Sequence, residues 1–215
     1  MRAGGGAAGV ALASMLGFES LSGASKNPLA PKAGQHKATA KRVIFLFMEG
    51  GPSHIDMFDP KPLLNDLHGT TLPKSFKEPV TAMGEQGSPL MGSPRTWKQY
   101  GESGLTVSDW CPNIAKHADE LAVIRSCQAD GLNHVGSVCQ MNTGSVVGGR
   151  PSLGAWAIYG LGSLNKNLPS YVVLTDGKKL PLGGVRNWGT GFMPATYQGT
   201  LFQQGPLPIP DLNPP

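Results

Sequence analysis

Charge and aromatic rings are both scarce in this sequence: 15% of its 215 residues are Asp, Glu, Lys or Arg, and 7% are Phe, Trp or Tyr. The net charge of +4 is spread thinly, with Lys37, Lys41 and Arg42 as its densest group. No basic stripe interleaves with aromatics, which argues against nucleic-acid binding. Cys111, Cys127 and Cys139 form no C-x-x-C pair and no zinc-finger spacing, so a structural zinc site is not expected. Three cysteines allow one disulfide and a leftover thiol, but buried free thiols acting as small hydrophobes are the commoner outcome. A catalytic cysteine is not expected. The apolar stretch Ala7 to Leu16 is too short and too glycine-rich to cross a bilayer, which argues against a stable membrane span.

Glycine and proline, by contrast, are abundant, at 30 and 19 residues. They break the chain into many short elements joined by turns and exclude long regular helices. With 40% apolar residues the chain can still bury a core, and its length gives a prior of one domain. The N-terminus reads as an export signal over residues 1–24. Arg2 precedes Gly4, Gly5 and Gly6, an apolar Gly/Ala core follows, and Leu21-Ser22-Gly23-Ala24 supplies small residues for cleavage. The core looks like a twin-arginine signal, although only one arginine is present. Export places the protein in the periplasm or outside the cell. Residues 25–40 are polar, basic and proline-containing, as in a linker. The folded domain is expected over 41–215.

The densest chemistry lies in Arg42 to Pro62, RVIFLFMEGGPSHIDMFDPKP. Val43 to Met48 are all apolar and are followed by Gly50, Gly51 and Pro52, a pattern that predicts a strand buried on both faces. Glu49, Ser53, His54, Asp56 and Asp59 then fall at its carboxyl end, where open α/β sheets bind ligands. In isolation, the same residues also fit an ordinary strand and turn with solvated side chains.

Further along, Pro62 to Leu67 suits a short helix, and Gly69 to Gly92 reads as an irregular excursion. Arg95 to Val107 has the pattern of a hairpin around Gly101 and Gly104. Asp109 or Cys111-Pro112 opens a helix through Asn113 to Leu121, and Ala122 to Ile124 and Ser170 to Thr175 are strand candidates. In Asp130 to Arg150, Asn133 is a good N-cap for a helix from His134 to Thr143, which Gly144 ends. The start of such a helix presents unpaired N–H groups and a partial positive charge suited to phosphate, sulfate or carboxylate. Asn133 can equally be a cap alone, with His134 packed or solvated. Arg150 can grip an anion or be a plain surface charge. Helices and strands interleave, so the fold class is loop-rich α/β.

Four blocks carry a family resemblance: GGPSHIDMFDPKP (Gly50 to Pro62), NHVGSVCQMNTG (Asn133 to Gly144), GRPSLGAWAIYGLGSLNKNLPSYVVL (Gly149 to Leu174) and NWGTGFMPATYQGTLFQ (Asn187 to Gln203). Together they resemble the domain-of-unknown-function 1501 family, exported proteins abundant in planctomycetes and often labelled sulfatase-like. That family is remotely similar to the alkaline phosphatase and sulfatase superfamily, which hydrolyses phosphate or sulfate esters with divalent metals. The resemblance implies part of an alkaline-phosphatase-like mixed or parallel sheet flanked by helices. It also implies an N-terminal portion of a longer protein, since family members are longer and the superfamily draws further Asp and His ligands from its carboxyl-terminal half. Such a portion is expected to be inactive alone.

By position in the same resemblance, Glu49 stands where the superfamily has its first metal-binding carboxylate, and His54 and Asp56 are nearby donors for zinc, calcium or magnesium. His134 stands where the Ser, Thr or modified Cys nucleophile opens its helix, and Thr143-Gly144 matches the Thr-Gly that ends it. Asn133 and His134 are thus the candidate catalytic pair, and Arg150 is the candidate anion ligand. Histidine does not replay the hydroxyl chemistry, and Ser53, Ser126 and Ser137 are candidate substitutes, none with a recognisable activating base beside it. Two functions follow from these features. One is metal-dependent hydrolysis of an anionic ester; the other is non-catalytic binding by an exported protein that recognises sulfated glycans.

Overall fold

Short elements bounded by glycine and proline make up the protein, a mixed α/β chain. The structure, a computed structural model, describes residues 27–34, 36–81, 83–176, 179–205 and 208–209. The export signal expected over 1–24 lies outside them. The described residues form two compact units. One is built from Ile44–Val147 with Pro181–Gly183, and the other from the residues up to Val43, Gly148–Leu180 and those from Gly184 onward.

The first of these units holds helix α1 (Pro62–Asp66), strands β1 (Trp97–Tyr100) and β2 (Leu105–Ser108), and helix α2 (His134–Thr143). Strands β1 and β2 are antiparallel, with Trp97 opposite Ser108 and Tyr100 opposite Leu105. Their turn needs left-handed backbone at Gly101 and Gly104, with φ of 67° and 65°. The Asp119 carboxylate secures it by accepting the N–H groups of Ser103 and Glu102 at 2.7 and 3.1 Å. Asp119 sits in the 3-10 helix Ile114–Glu120, which is kinked at His117. Val107, Cys111 and Ala115 form the core here, with Met57, Phe58, Tyr100 and Leu105 packed against it. Burying Val107 completely contributes roughly 2 kcal/mol.

Helix α2 has the bounds that its sequence predicts. Asn133 is in extended backbone and its side chain accepts the Gly136 N–H, while Gly144 ends the helix at φ 76°. Val138 and Cys139 are its buried residues. Gly131 packs so closely on Ser137 that a Cβ there would lie 2.5 Å from the hydroxyl. The Ser137 hydroxyl donates to the Gly131 carbonyl at 2.9 Å, and Gln140 Oε1 accepts the Asp130 and Gly131 N–H groups, both at 3.0 Å. The loop before α2 is thereby folded back onto the helix.

The second unit holds helix α3 (Leu153–Leu161) and strands β3 (Val172–Leu174) and β4 (Thr200–Phe202). Ser152 caps α3, its side chain accepting the Ala155 N–H. Ala155, Met193 and Tyr197 form a core joined by Leu29, Ile158 and Tyr159. Edge-to-face ring contacts run from Phe192 through Trp156 and Tyr159 to Tyr197, an arrangement that aromatic quadrupoles favour. Within the stretch that reads as linker, Leu29 joins this core and the Lys32 ammonium donates to the Tyr159 carbonyl at 2.7 Å. Strands β3 and β4 are parallel, with Val172 opposite Thr200 and Leu174 opposite Phe202.

Two predicted strands do not form. Val43 to Met48 and Ala122 to Ile124 carry no strand among the described residues, and Val43, Ile44, Leu46 and Met48 are all exposed. Apolar patterning says that such a segment can be buried on two faces, but a strand exists only where a neighbour supplies ladder hydrogen bonds. Among the described residues there are two two-stranded sheets, one antiparallel and one parallel. The helix expected through Asn113 to Leu121 forms as the 3-10 helix Ile114–Glu120.

Candidate functional site

Two features of the first unit bear on chemistry: the polar turn after Gly51, and the start of α2. In the turn, His54 to Asp56 form one 3-10 turn. It is pinned to β2, because the buried Ser108 donates its N–H to the Met57 carbonyl at 3.0 Å and its hydroxyl to the Asp56 carbonyl at 2.5 Å. The Asp56 carboxylate accepts a short hydrogen bond from the Ser93 hydroxyl. Hydrogen bonds from Ser93, then Ser53, hold the Asp56 carboxyl below its ordinary value, with the charge of Arg95 adding to the effect. Asp59 is buried and pairs with Lys61 at 2.7 Å, which lowers its pKa. Arg95 places its guanidinium 4.7 Å from the Trp110 ring centre and 3.7 Å from Asp109, while its Nε is buried without a hydrogen-bond partner among the described residues.

The nominated metal donors are only partly brought together. His54 and Asp56 share the 3-10 turn, but Asp56 is engaged by Ser93, and Glu49 Oε1 accepts the Leu182 N–H at 2.5 Å. Among the described residues no three His, Cys, Asp or Glu side chains group to hold a metal ion. Zinc, calcium and magnesium each need more converging donors than the described residues of this turn present, so no chemical step is assigned to a metal here.

The start of α2 is better formed. Asn133 Oδ1 accepts the Gly136 N–H at 2.8 Å, and the Ser137 N–H donates to the Asn133 carbonyl at 2.9 Å. The two N–H groups between them, those of His134 and Val135, have no hydrogen-bond acceptor among the described residues. Both residues are exposed. Free donors in a helix's first turn lie at the positive end of its dipole.

Arg150 lies in the other unit. Its backbone is fixed by contact with Gly191, where a Cβ would fall 2.4 Å from the Arg150 carbonyl carbon, and Arg150 is exposed. All three cysteines are free; Cys111 and Cys139 are buried and Cys127 is exposed. Burial pushes the Cys111 thiol up, away from reactivity.

The family profile described as "Protein of unknown function (DUF1501)" matches residues 40–215. The chain is a member of the DUF1501 family. No curated protein and no solved structure matches it. Within this DUF1501 chain, sequence reasoning located Asp56 but not its partner Ser93, and it passed over Arg95 with Asp109 and Trp110. A spacing of 37 residues between Asp56 and Ser93 carries no local signal. Asp109, two residues beyond the predicted hairpin, accepts the N–H of Thr96 within it and was the nearest clue, since hairpin register fixes which residues face one another.

Proposed function

We propose that this DUF1501 chain recognises anionic ester groups, sulfate or phosphate carried on a glycan, without hydrolysing them. The observation that carries the reading is the first turn of α2, where the N–H groups of His134 and Val135 have no acceptor among the described residues and both residues are exposed. An oxyanion there accepts two N–H hydrogen bonds at the positive end of a ten-residue helix, and the imidazole adds a third donor. Asn133 acts by holding the turn in place. The missing hydroxyl at position 134 favours binding over turnover, because imidazole does not perform the superfamily's usual displacement. Arg150, exposed in the other unit, is by itself a cation able to pair with an anionic group. The N-terminal sequence supports export to the periplasm or beyond, where sulfated glycans are met.

Titration calorimetry with dextran sulfate and with unsulfated dextran tests this reading. Binding of the first and not the second is expected. Equal affinity for both would refute sulfate recognition.

A second reading, metal-dependent hydrolysis, is favoured by one feature: α2 runs from His134 to Thr143 and closes at Gly144, as the phosphatase resemblance implies for the nucleophile helix. Turnover of aryl phosphates or sulfates with added zinc, calcium or magnesium, lost in Glu49→Ala and His134→Ala, would establish it. Unchanged turnover in both variants would remove these residues from the mechanism.

A further inference from the structure

Inside the unit that holds α1, the chain that leaves this helix is tied to residues 90–93 by four hydrogen bonds. The Gly69 N–H donates to the Leu90 carbonyl at 2.8 Å, and the Leu90 N–H donates to the Thr70 carbonyl at 2.7 Å. The Ser93 N–H donates to Asn65 Oδ1 at 2.8 Å, and the Gly92 N–H donates to His68 Nδ1 at 3.0 Å. Gly92 is pressed close against these partners. A Cβ on it would lie 2.9 Å from Asn65 Oδ1, 3.0 Å from Asn65 Cα and 3.4 Å from His68 Cβ, so the absence of a side chain is what lets its N–H reach the ring. Three of the four acceptors are carbonyl or amide oxygens, which do not titrate in water. The fourth is an imidazole nitrogen, which accepts only while it carries no proton.

We infer that His68 is a pH-sensitive clasp, and that protonation of its Nδ1 releases Gly92 and Ser93 from the end of α1. A proton there replaces the lone pair with a second N–H, so two donors face each other where one bond had been. The bond favours the unprotonated ring. It is therefore complete at the alkaline end and lost as pH falls through the range in which imidazoles take up a proton, about pH 8 to 5. The charged groups on the segments that meet here are Lys61 and Asp66 at the two ends of α1, Arg95 just beyond Ser93, and Asp56, which accepts from the Ser93 hydroxyl. Lys61 is paired with Asp59 and Arg95 with Asp109. Among the described residues none of these groups forms an ion pair with His68. The stretch that His68 holds is also the one that carries the Ser93 hydroxyl to Asp56, so the clasp borders the polar turn at His54 to Asp56.

Amide hydrogen exchange of the full chain at pH 8 and pH 5, read by NMR as protection relative to an unstructured chain at the same pH, tests the inference. Protection of the Gly92 N–H should fall roughly tenfold from pH 8 to pH 5, the loss of one good hydrogen bond, and Ser93 should fall with it. The Gly144 N–H, which donates to the Gln140 carbonyl at 2.8 Å at the end of α2, should keep its protection. His68→Asn sets an amide oxygen where Nδ1 stands, an acceptor at every pH, so its Gly92 protection should be equal at both. His68→Phe keeps a ring without an acceptor and should show at both values the low protection that the parent shows at pH 5. Equal protection of Gly92 at the two pH values in the parent would overturn the inference. So would a fall in His68→Asn as large as the parent's, or a fall that Gly144 shares, which would mean that the whole unit loosens.

Discussion

Asn133 Oδ1 accepts the Gly136 N–H at 2.8 Å, and this one bond fixes both where α2 begins and which of its N–H groups stay free. Replacing Asn133 with Ala should cost about 1 kcal/mol of stability, the usual worth of an N-cap. Asn133→Asp separates the two roles of the position. It keeps the cap and adds a favourable charge to the helix start, so the urea midpoint should hold or rise. The same charge repels an anion, so dextran sulfate binding should fall. A loss of stability in Asn133→Asp would contradict the cap assignment.

Gly191 has φ 57°, and a Cβ there would lie 2.4 Å from the Arg150 carbonyl carbon and 2.6 Å from the Gly149 oxygen. These are backbone atoms that no side-chain rotation can move aside. Gly191→Ala therefore combines left-handed strain with overpacking and should destabilise its unit by about 3 kcal/mol. Thermal unfolding checks it, with a near-normal midpoint as the contrary result.

Asp56, Asp59 and Asp119 all lie in the unit that holds α2, and all three have pKa values lowered from 3.8. The causes are the hydrogen bonds of Ser93 to Asp56, of Lys61 to Asp59, and of the Ser103 and Glu102 backbone to Asp119. A carboxyl with a depressed folded value binds fewer protons when folded than when unfolded. Its stabilisation is complete above the unfolded value of 3.8 and is lost as pH falls through the lower folded values. In His68→Asn, where the clasp does not titrate, urea midpoints should be flat from neutrality down to about pH 5 and then decline. Asp119→Asn should flatten that acid limb.

Ser93→Ala tests the Asp56 environment directly. Without the hydrogen bond that lowers it most, the Asp56 carboxyl should titrate closer to 3.8 in a carbon-13 NMR pH series. An unmoved titration would mean that Ser53 and Arg95 alone set its acidity.

Local rules of the chain were legible in the sequence; long-range pairing was not. Asn133, Gly144, Gly101 and Gly104 each mark a backbone conformation that only a few residue types favour, and α2 and the β1–β2 turn appear where those residues stand. Ser170 to Thr175 likewise contains β3. The apolar run Val43 to Met48 failed as a strand because hydrophobicity specifies burial without naming a neighbour. At the candidate site, His134 and Asn133 were found from capping chemistry, which is local. Ser93 beside Asp56 and Asp119 beneath the Ser103 turn depend on how distant segments meet, and no spacing in the sequence encodes that.

The central claim, that the first turn of α2 holds a sulfate or phosphate group, is tested most directly by calorimetry of His134→Ala against dextran sulfate at constant salt. Two backbone donors remain in the variant, so binding should weaken without vanishing, by about 1–2 kcal/mol or roughly 5–30-fold. The urea midpoint should stay unchanged, since His134 is exposed. An affinity equal to that of the parent chain would contradict the account.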